Sequence, residues 1–348
     1  MMKKYSNKRL LYFGPSTYGG TCLQRYKALS ELFKESYIID SRRIYPDKKS
    51  GRSFFKSLQG RIGIGPIFTL SRKILLQECF RFKPDLIWID NGFIIDSKTL
   101  MIIRKNFDCK IVHYTPDSVL APGMSSICLK KSIQFYDYTI TTKEQDLDYY
   151  KKYGAKNILN SLQGYDPVIH RITELNKVDK QKFSCDVSFI GQYMNDRALD
   201  LSYLKSSLDI DLKIYGFDWE KKLKHTNLKK LLMGPAIGTD YAKAIQSSKI
   251  SLGFLNRKVR DTFTTRTFEI PACGGFLLAE RSAMHSKLFS EDKEAVFFSN
   301  KEELVEKVKY YLKNDEKRNQ ICVKGNNKIN SSNYSWPKLM KNLLDKIN

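Results

Sequence analysis

The feature that most restricts the fold of this chain is a regular alternation of short apolar runs of strand character with longer segments of helical period. That alternation is the pattern of parallel sheets covered by helices. In the first half, strands are predicted at residues 9–13, 37–40, 86–90, 110–114, 138–141 and 157–159, with helices between them. Residues 21–34 carry Leu23, Tyr26, Ala28, Leu29, Leu32 and Phe33 at helical spacing, and residues 144–153 close at Gly154 as a helix with a glycine stop should. A polar, basic stretch at residues 166–184 has no clear period and reads as a linker. The alternation then restarts, with strands predicted at 186–190, 212–215, 250–255, 276–279 and 295–298 and helices near 196–207, 239–247, 265–272 and 301–312. A length of 348 residues also favours two domains over one, because single cores stop growing at about 250 to 300 residues. The expected class is therefore α/β, with two Rossmann-like domains at 1–165 and 185–333 and a central cleft lined by the carboxyl ends of the strands.

Composition removes other classes. A hydrophobic fraction of 42% fills two cores, so global disorder is excluded. The basic residues 1–9 are followed only by the short apolar run 10–13, and nowhere is there a run of the ~18 apolar residues that a membrane helix needs, so a cytoplasmic protein is expected. Seven cysteines without a CxxC pair and four scattered histidines argue against a disulfide framework or a zinc site. Asp146 and Asp148 spell DxD, but within a helical pattern, and read as a solvated face; no metal and no cofactor are expected. The net charge of +23 points to an anionic partner. Three readings stay open: lysine-rich solvated faces, a phosphate-bearing substrate, or peripheral contact with an anionic membrane. The basic residues are spread along the chain without a nucleic-acid module, so no nucleic acid is expected, and a nucleic-acid-binding protein is kept as the non-enzymatic alternative.

The densest chemistry lies at residues 256–280, NRKVRDTFTTRTFEIPACGGFLLAE. It follows an apolar strand, puts the hydroxyls of Thr262, Thr264 and Thr265 where a helix would start, and adds Arg260 and Arg266. Free amides, hydroxyls and guanidinium forks suit a diphosphate, and Glu269 one turn on suits the two hydroxyls of a ribose. The plainer reading is a Thr265 cap and an exposed Glu269.

With these residues the chain resembles bacterial glycosyltransferases of GT-B fold, in particular the CgeB-like group, related to the glycosyltransferase group 1 (GT4-related) enzymes. Those commonly show a carboxylate, seven residues, a Glu and then a small-residue segment; here Asp261, Glu269 and Ala272-Cys273-Gly274 stand in that order, with Asp in place of the usual first Glu. The resemblance implies a sugar nucleotide held in the C-terminal half, with Asn256, Arg260, Asp261, Thr265, Arg266 and Glu269 around it. It also implies a phosphate-side loop at Phe189-Ile-Gly191-Gln-Tyr193 with Arg197, a second loop at Tyr215-Gly216 beside Trp219, and a base-reading loop from Gly234 to Gly238. In the N-terminal half it covers residues 11–20 with Gly14, 84–90, 113–117 and 164–167. The turn after Gly14 reads either as an approach to the donor or as a tight connection.

The implied activity is a hexosyltransferase-type sugar transfer from a nucleotide-diphosphate sugar to a saccharide, lipid-linked or protein acceptor on the N-terminal side, in cell-surface polysaccharide or glycoconjugate synthesis. Asp117 is the candidate base, His113 a sugar contact, and Arg266 the cation on the leaving diphosphate. The same positions also suit a turn at Asp117 and a satisfied strand-end histidine. A sugar-nucleotide epimerase of the same fold and an inactive nucleotide-sugar sensor stand as rival functions. Finally, Trp336, Leu339, Met340, Leu343, Leu344 and Ile347 make one apolar stripe on a terminal helix within 334–348. In the family such a helix packs back on the N-terminal domain; the bland reading is an ordinary helix on the second domain.

Overall fold

The computed structural model describes residues 5–45, 55, 58–59, 62–121, 125–223 and 226–347. The first four residues of the basic segment 1–9 lie outside that set. The chain forms two compact units, one of residues 1–162 and 336–348, the other of residues 163–335.

The first unit holds six parallel strands, β1 (Arg9–Gly14), β2 (Glu35–Asp40), β3 (Leu86–Asp90), β4 (Lys110–Thr115), β5 (Tyr138–Thr141) and β6 (Ile158–Asn160), in the order β2-β1-β3-β4-β5-β6. Side chains alternate across the sheet. Leu10, Tyr12, Leu86, Trp88, Val112 and Tyr114 therefore enter one apolar cluster, and Leu11, Phe13, Ile87, Ile89 and Ile111 enter the other. The chain passes from β1 to β2 on one side and then to β3 on the other, so the strand order reverses at the carboxyl ends of β1 and β3.

The first cluster is completed by the last helix of the chain, Trp336–Lys346, which buries Trp336, Met340, Leu343 and Leu344. It packs on the helix Thr21–Ser30, where Trp336 Nε1 donates to Gln24 Oε1 at 2.9 Å and the Arg25 guanidinium lies 5.0 Å from the Trp336 ring. The Tyr5 hydroxyl donates toward the Leu344 and Ile347 carbonyls at 3.2 and 3.0 Å.

The second unit holds five parallel strands, β7 (Cys185–Ile190), β8 (Leu212–Tyr215), β9 (Ser248–Gly253), β10 (Leu277–Glu280) and β11 (Val296–Phe298), in the order β11-β10-β9-β7-β8. Its core gathers Val187, Phe189, Leu212, Ile214, Ile250, Leu252 and Leu278 with helix residues such as Leu201, Leu204, Val308 and Ile321. Here the order reverses at the carboxyl ends of β7 and β9.

Three segments depart from the sequence reading. The helix expected over 21–34 stops at Ser30, because the chain must turn into β2 and Lys34 N already bonds the Lys8 carbonyl. The stretch 166–184 is not featureless: Lys177–Phe183 is a helix, started by a reciprocal capping box between Asn176 and Asp179 and anchored by buried Phe183. Seven residues are too few to show a period. The helix Asp315–Ser331 is unmarked in the sequence because it buries only Arg318, Ile321, Gly325 and Ile329 over seventeen residues.

Candidate functional site

In the second unit the loops after β7 and β8 meet backbone to backbone. Gly191 N donates to the Tyr215 carbonyl at 2.9 Å, and Trp219 Nε1 donates to the Gly191 carbonyl at 2.9 Å. Gly216 has a φ of +144°, and a Cβ there would stand 2.0 Å from the Gly191 carbonyl oxygen. Gly216 N in turn donates to the Gly234 carbonyl at 2.9 Å; Gly234, with φ +74°, faces open space. Tyr215 goes elsewhere: its buried ring lies beside Phe183, 6.4 Å between centroids, and its hydroxyl has no partner. Its side chain is therefore a packing group beside Phe183, and it is the glycine after it that shapes the loop.

Two guanidinium groups converge on the Phe189 ring from the helices Asn195–Ser207 and Arg266–Ala272, Arg197 at 5.8 Å and Arg266 at 5.9 Å from its centroid. Arg197 Nη1 donates to the Gln192 carbonyl at 3.2 Å, while the Nε atoms of Arg197 and of Arg266 are both buried without a partner. Burial, and then the positive charge of Arg266, push the Arg197 pKa down to about 9, against the opposing pull of Asp196, Glu280 and Asp261. Like charges with unspent donors form a ready receptor for an anion.

The loop between β9 and that helix is organised by its backbone. The Asn256 carboxamide oxygen accepts from Lys258 N at 3.2 Å, its carbonyl accepts from Asp261 N at 3.1 Å, and Arg260 takes a left-handed conformation at φ +50°. Thr265 does not cap the helix with its side chain: its φ and ψ of −59° and −35° are already helical, whereas a capping side chain needs an extended backbone to swing back. Thr267 is the engaged hydroxyl, accepting from Thr264 N at 3.1 Å and bonding His285 Nε2 at 2.9 Å.

Glu269 is buried, at 5% exposure, rather than standing on an exposed face. The Tyr241 hydroxyl donates to its Oε2 at 2.6 Å, and His170 Nε2 faces its Oε1 at 3.8 Å. His170 is itself buried, and its Nδ1 accepts from Asp166 N at 3.0 Å. Neither His170 nor Tyr241 is picked out in the sequence. The segment 164–167 ends just before His170, and the loop from Gly234 to Gly238 ends just before Tyr241, but the meeting of either side chain with Glu269 is a long-range contact that local spacing does not encode.

In the first unit, Gly14 is required by packing: a Cβ there would lie 2.7 Å from Cys22 Sγ and 3.0 Å from Asp90 Cβ. Beneath it is a buried ion pair, Arg25 to Asp90 at 2.8 Å, with the Tyr12 hydroxyl donating to Asp90 Oδ2 at 2.6 Å and Arg25 stacked 4.6 Å from the Tyr114 ring. His113 does not face outward. It is buried at 1% exposure between Tyr136 and Tyr150, its Nε2 is 3.3 Å from the Tyr150 hydroxyl, and burial pushes its pKa down to about 3. Its place two residues before the end of β4 turns it into the sheet's interior, so its expected contact with a sugar is withdrawn. Asp117 is exposed on the loop after β4. That loop is clamped by Asp146, which is buried and accepts from Ser118 Oγ at 2.7 Å and Val119 N at 2.8 Å, correcting the expectation of a solvated DxD face; Asp148 alone is exposed. A cavity of about 290 Å³ opens at the ends of β1, β2 and β3 between Thr17, Ser41, Arg42, Asn91, Tyr45 and Phe93. Among the described residues no group of three His, Cys, Asp or Glu side chains could hold a metal ion, and no helix is long and apolar enough to cross a membrane.

Residues 197–345 match a family described as glycosyl transferase-like. No curated protein matches the chain. Among solved structures it is similar to a sucrose-phosphate synthase from Thermosynechococcus elongatus (TM-score 0.69, 12% identity, 98% of each chain covered). It is also similar to HepE of Anabaena in complex with UDP-glucose (TM-score 0.68, 13% identity, covering 98% of this chain and 99% of that one). A third is a putative UDP-N-acetylglucosamine 2-epimerase from Listeria monocytogenes (TM-score 0.57, 11% identity, covering 98% and 96%). The two parallel sheets are those of the GT-B fold, and the stretch that matches the glycosyl transferase-like family runs from the Asn195–Ser207 helix through most of the second unit into the last helix.

Proposed function

We propose that this chain transfers a glycosyl group from a nucleoside-diphosphate sugar to a saccharide, lipid-linked or protein acceptor. The observation that carries the donor site is the Arg197–Arg266 pair, two guanidiniums beside one ring, each with a buried Nε lacking a partner. A diphosphate supplies the acceptors and the negative charge that this pair lacks. Glu269 takes the ribose hydroxyls, the loops at Gly191, Gly216 and Gly234 let backbone come close to the nucleotide, and Asn256, Arg260, Asp261 and Thr265 frame the sugar end. The nucleotide complexes of HepE support a donor of this class.

In the reaction an acceptor hydroxyl oxygen attacks the anomeric carbon, the bond from that carbon to the phosphate oxygen breaks, and its electron pair leaves with the diphosphate. Arg266 and Arg197 stabilise that growing charge without a metal. In an inverting transfer, Asp117 takes the acceptor proton. The 290 Å³ cavity, with hydroxyl and amide groups beside the edge-on Tyr45 and Phe93 rings, suits a carbohydrate acceptor. The net charge of +23 supports peripheral contact with an anionic membrane, where lipid-linked acceptors would be met.

Calorimetric titration with UDP, GDP and ADP tests the donor site. At least one is expected to bind, and Arg266→Ala should weaken it at least about tenfold while lowering turnover more than melting temperature. No binding by any of the three sinks the reading. The epimerase neighbour favours one rival, an isomerase acting on the sugar nucleotide alone. Epimer formation without acceptor would decide for it.

A further inference from the structure

The Glu269 carboxylate is buried, yet among the described residues it receives one hydrogen bond, from Tyr241 to Oε2 at 2.6 Å. A buried carboxylate is stable only when its lone pairs are used. The neighbour of the other oxygen is His170, and its tautomer follows from its surroundings. Asp166 N donates to His170 Nδ1, so Nδ1 carries no hydrogen and the ring hydrogen sits on Nε2. At 3.8 Å that N–H faces Oε1 without closing on it. The His170 and Tyr241 rings meet edge to face at 5.2 Å, so each fixes the other. Arg266 lies within electrostatic reach of the Tyr241 hydroxyl, where its positive charge opposes the rise in pKa that burial and Glu269 cause.

We propose that Tyr241 and His170 are positioning residues that hold the two oxygens of Glu269 in the plane that accepts a vicinal diol. Through them the site distinguishes a ribonucleotide from its 2′-deoxy counterpart. Tyr241 uses one lone pair of Oε2 and fixes the rotation of the carboxylate; His170 limits its swing on the other side. The open lone pairs are then left for the two O–H donors of a ribose. This rests on the donor-site reading above.

The test is the ratio of dissociation constants for a 2′-deoxyribonucleoside diphosphate and its ribo form, using whichever of UDP, GDP and ADP binds best. Wild type should favour the ribo form about tenfold or more, as expected for a hydrogen bond to a charged group. Tyr241→Phe should bring the ratio to within about threefold, mainly by weakening the ribo form, because the ring stays and only the hydroxyl goes. His170→Asn keeps an acceptor for Asp166 N and removes the N–H facing Glu269, so it should also lower the ratio, and His170→Gln should restore part of it. A merely structural role would weaken both nucleotides alike. Equal weakening in Tyr241→Phe and both His170 variants, or a wild-type ratio near one, overturns the proposal. If Glu269→Ala abolishes the preference while Tyr241→Phe and His170→Asn retain it, positioning falls and the donor site stands. Unchanged ribonucleotide affinity in Glu269→Ala removes the donor site itself.

Discussion

Burial keeps two histidines of this protein from taking up a charge in the folded state. His113 sits between two tyrosine rings with its pKa pushed down to about 3 by burial, and His285, with both ring nitrogens bonded, is pushed down to about 4. Between these values and the ordinary 6.5 the unfolded chain binds protons that the folded chain refuses. Stability therefore falls as pH drops through that window, and each histidine removes roughly 2 kcal/mol at pH 5. His113→Phe keeps the aromatic packing and deletes the titration. Urea unfolding at about pH 7 and pH 5 should show a loss smaller by about 2 kcal/mol in that variant than in wild type; equal losses would show that His113 does not titrate in this way. The same residue marks the limit of reading single positions. Glu269 stands out in the sequence because its spacing from Asp261 and Ala272 is local. The direction in which His113 points, the buried clamp made by Asp146 and the meeting of His170 with Tyr241 all depend on contacts across tens of residues, which no local pattern carries.

At the level of elements, the strands were legible because apolar runs buried on both faces have few other fates, and eleven strands form near the predicted positions among the described residues. Helices with a thin apolar stripe, such as Asp315–Ser331, and short ones secured by caps, such as Lys177–Phe183, were not. Loop glycines divide in a way only the structure shows. Gly216→Ala would push a Cβ into the Gly191 carbonyl at 2.0 Å and keep a strained φ, and should cost at least about 2 kcal/mol and damage nucleotide binding. Gly234→Ala meets no atom within 4 Å and should cost only about 1 kcal/mol, for its φ of +74°. Denaturant titration of the two variants checks the order; a Gly234→Ala loss as large as that of Gly216→Ala would count against the backbone contact as the cause.

For the molecule as a whole, two domains of parallel sheet could be read from the sequence, while the order of strands and the surroundings of each site residue required the fold. The first unit is made from both ends of the chain: residues 336–348 complete a core begun at Tyr5. Trp336 lies over Arg25 and bonds Gln24 beside the buried Arg25–Asp90 pair, so its loss opens an ion pair to partial solvation as well as removing a large ring. Trp336→Ala should destabilise the first unit by about 3–5 kcal/mol, and deletion of residues 336–348 by more. Melting followed by a probe in each unit should show the first unit weakened and the second nearly unchanged; full activity and unaltered melting in the truncated protein would show that this helix is dispensable.

During synthesis the same arrangement sets an order of events. The segment for the first unit leaves the ribosome first but remains short of its closing helix until about 170 further residues have followed, roughly ten to thirty-five seconds at usual elongation rates. Throughout that interval Arg25 lacks the Trp336 ring that lies over it, and the part of the first cluster that Trp336, Met340, Leu343 and Leu344 fill stays open. The second unit, contiguous in sequence from residue 163 to 335, needs no such wait. The unit begun last is thus the first that can finish, and the nascent chain carries a complete six-stranded sheet with an uncovered apolar patch for as long as it takes to make the other unit.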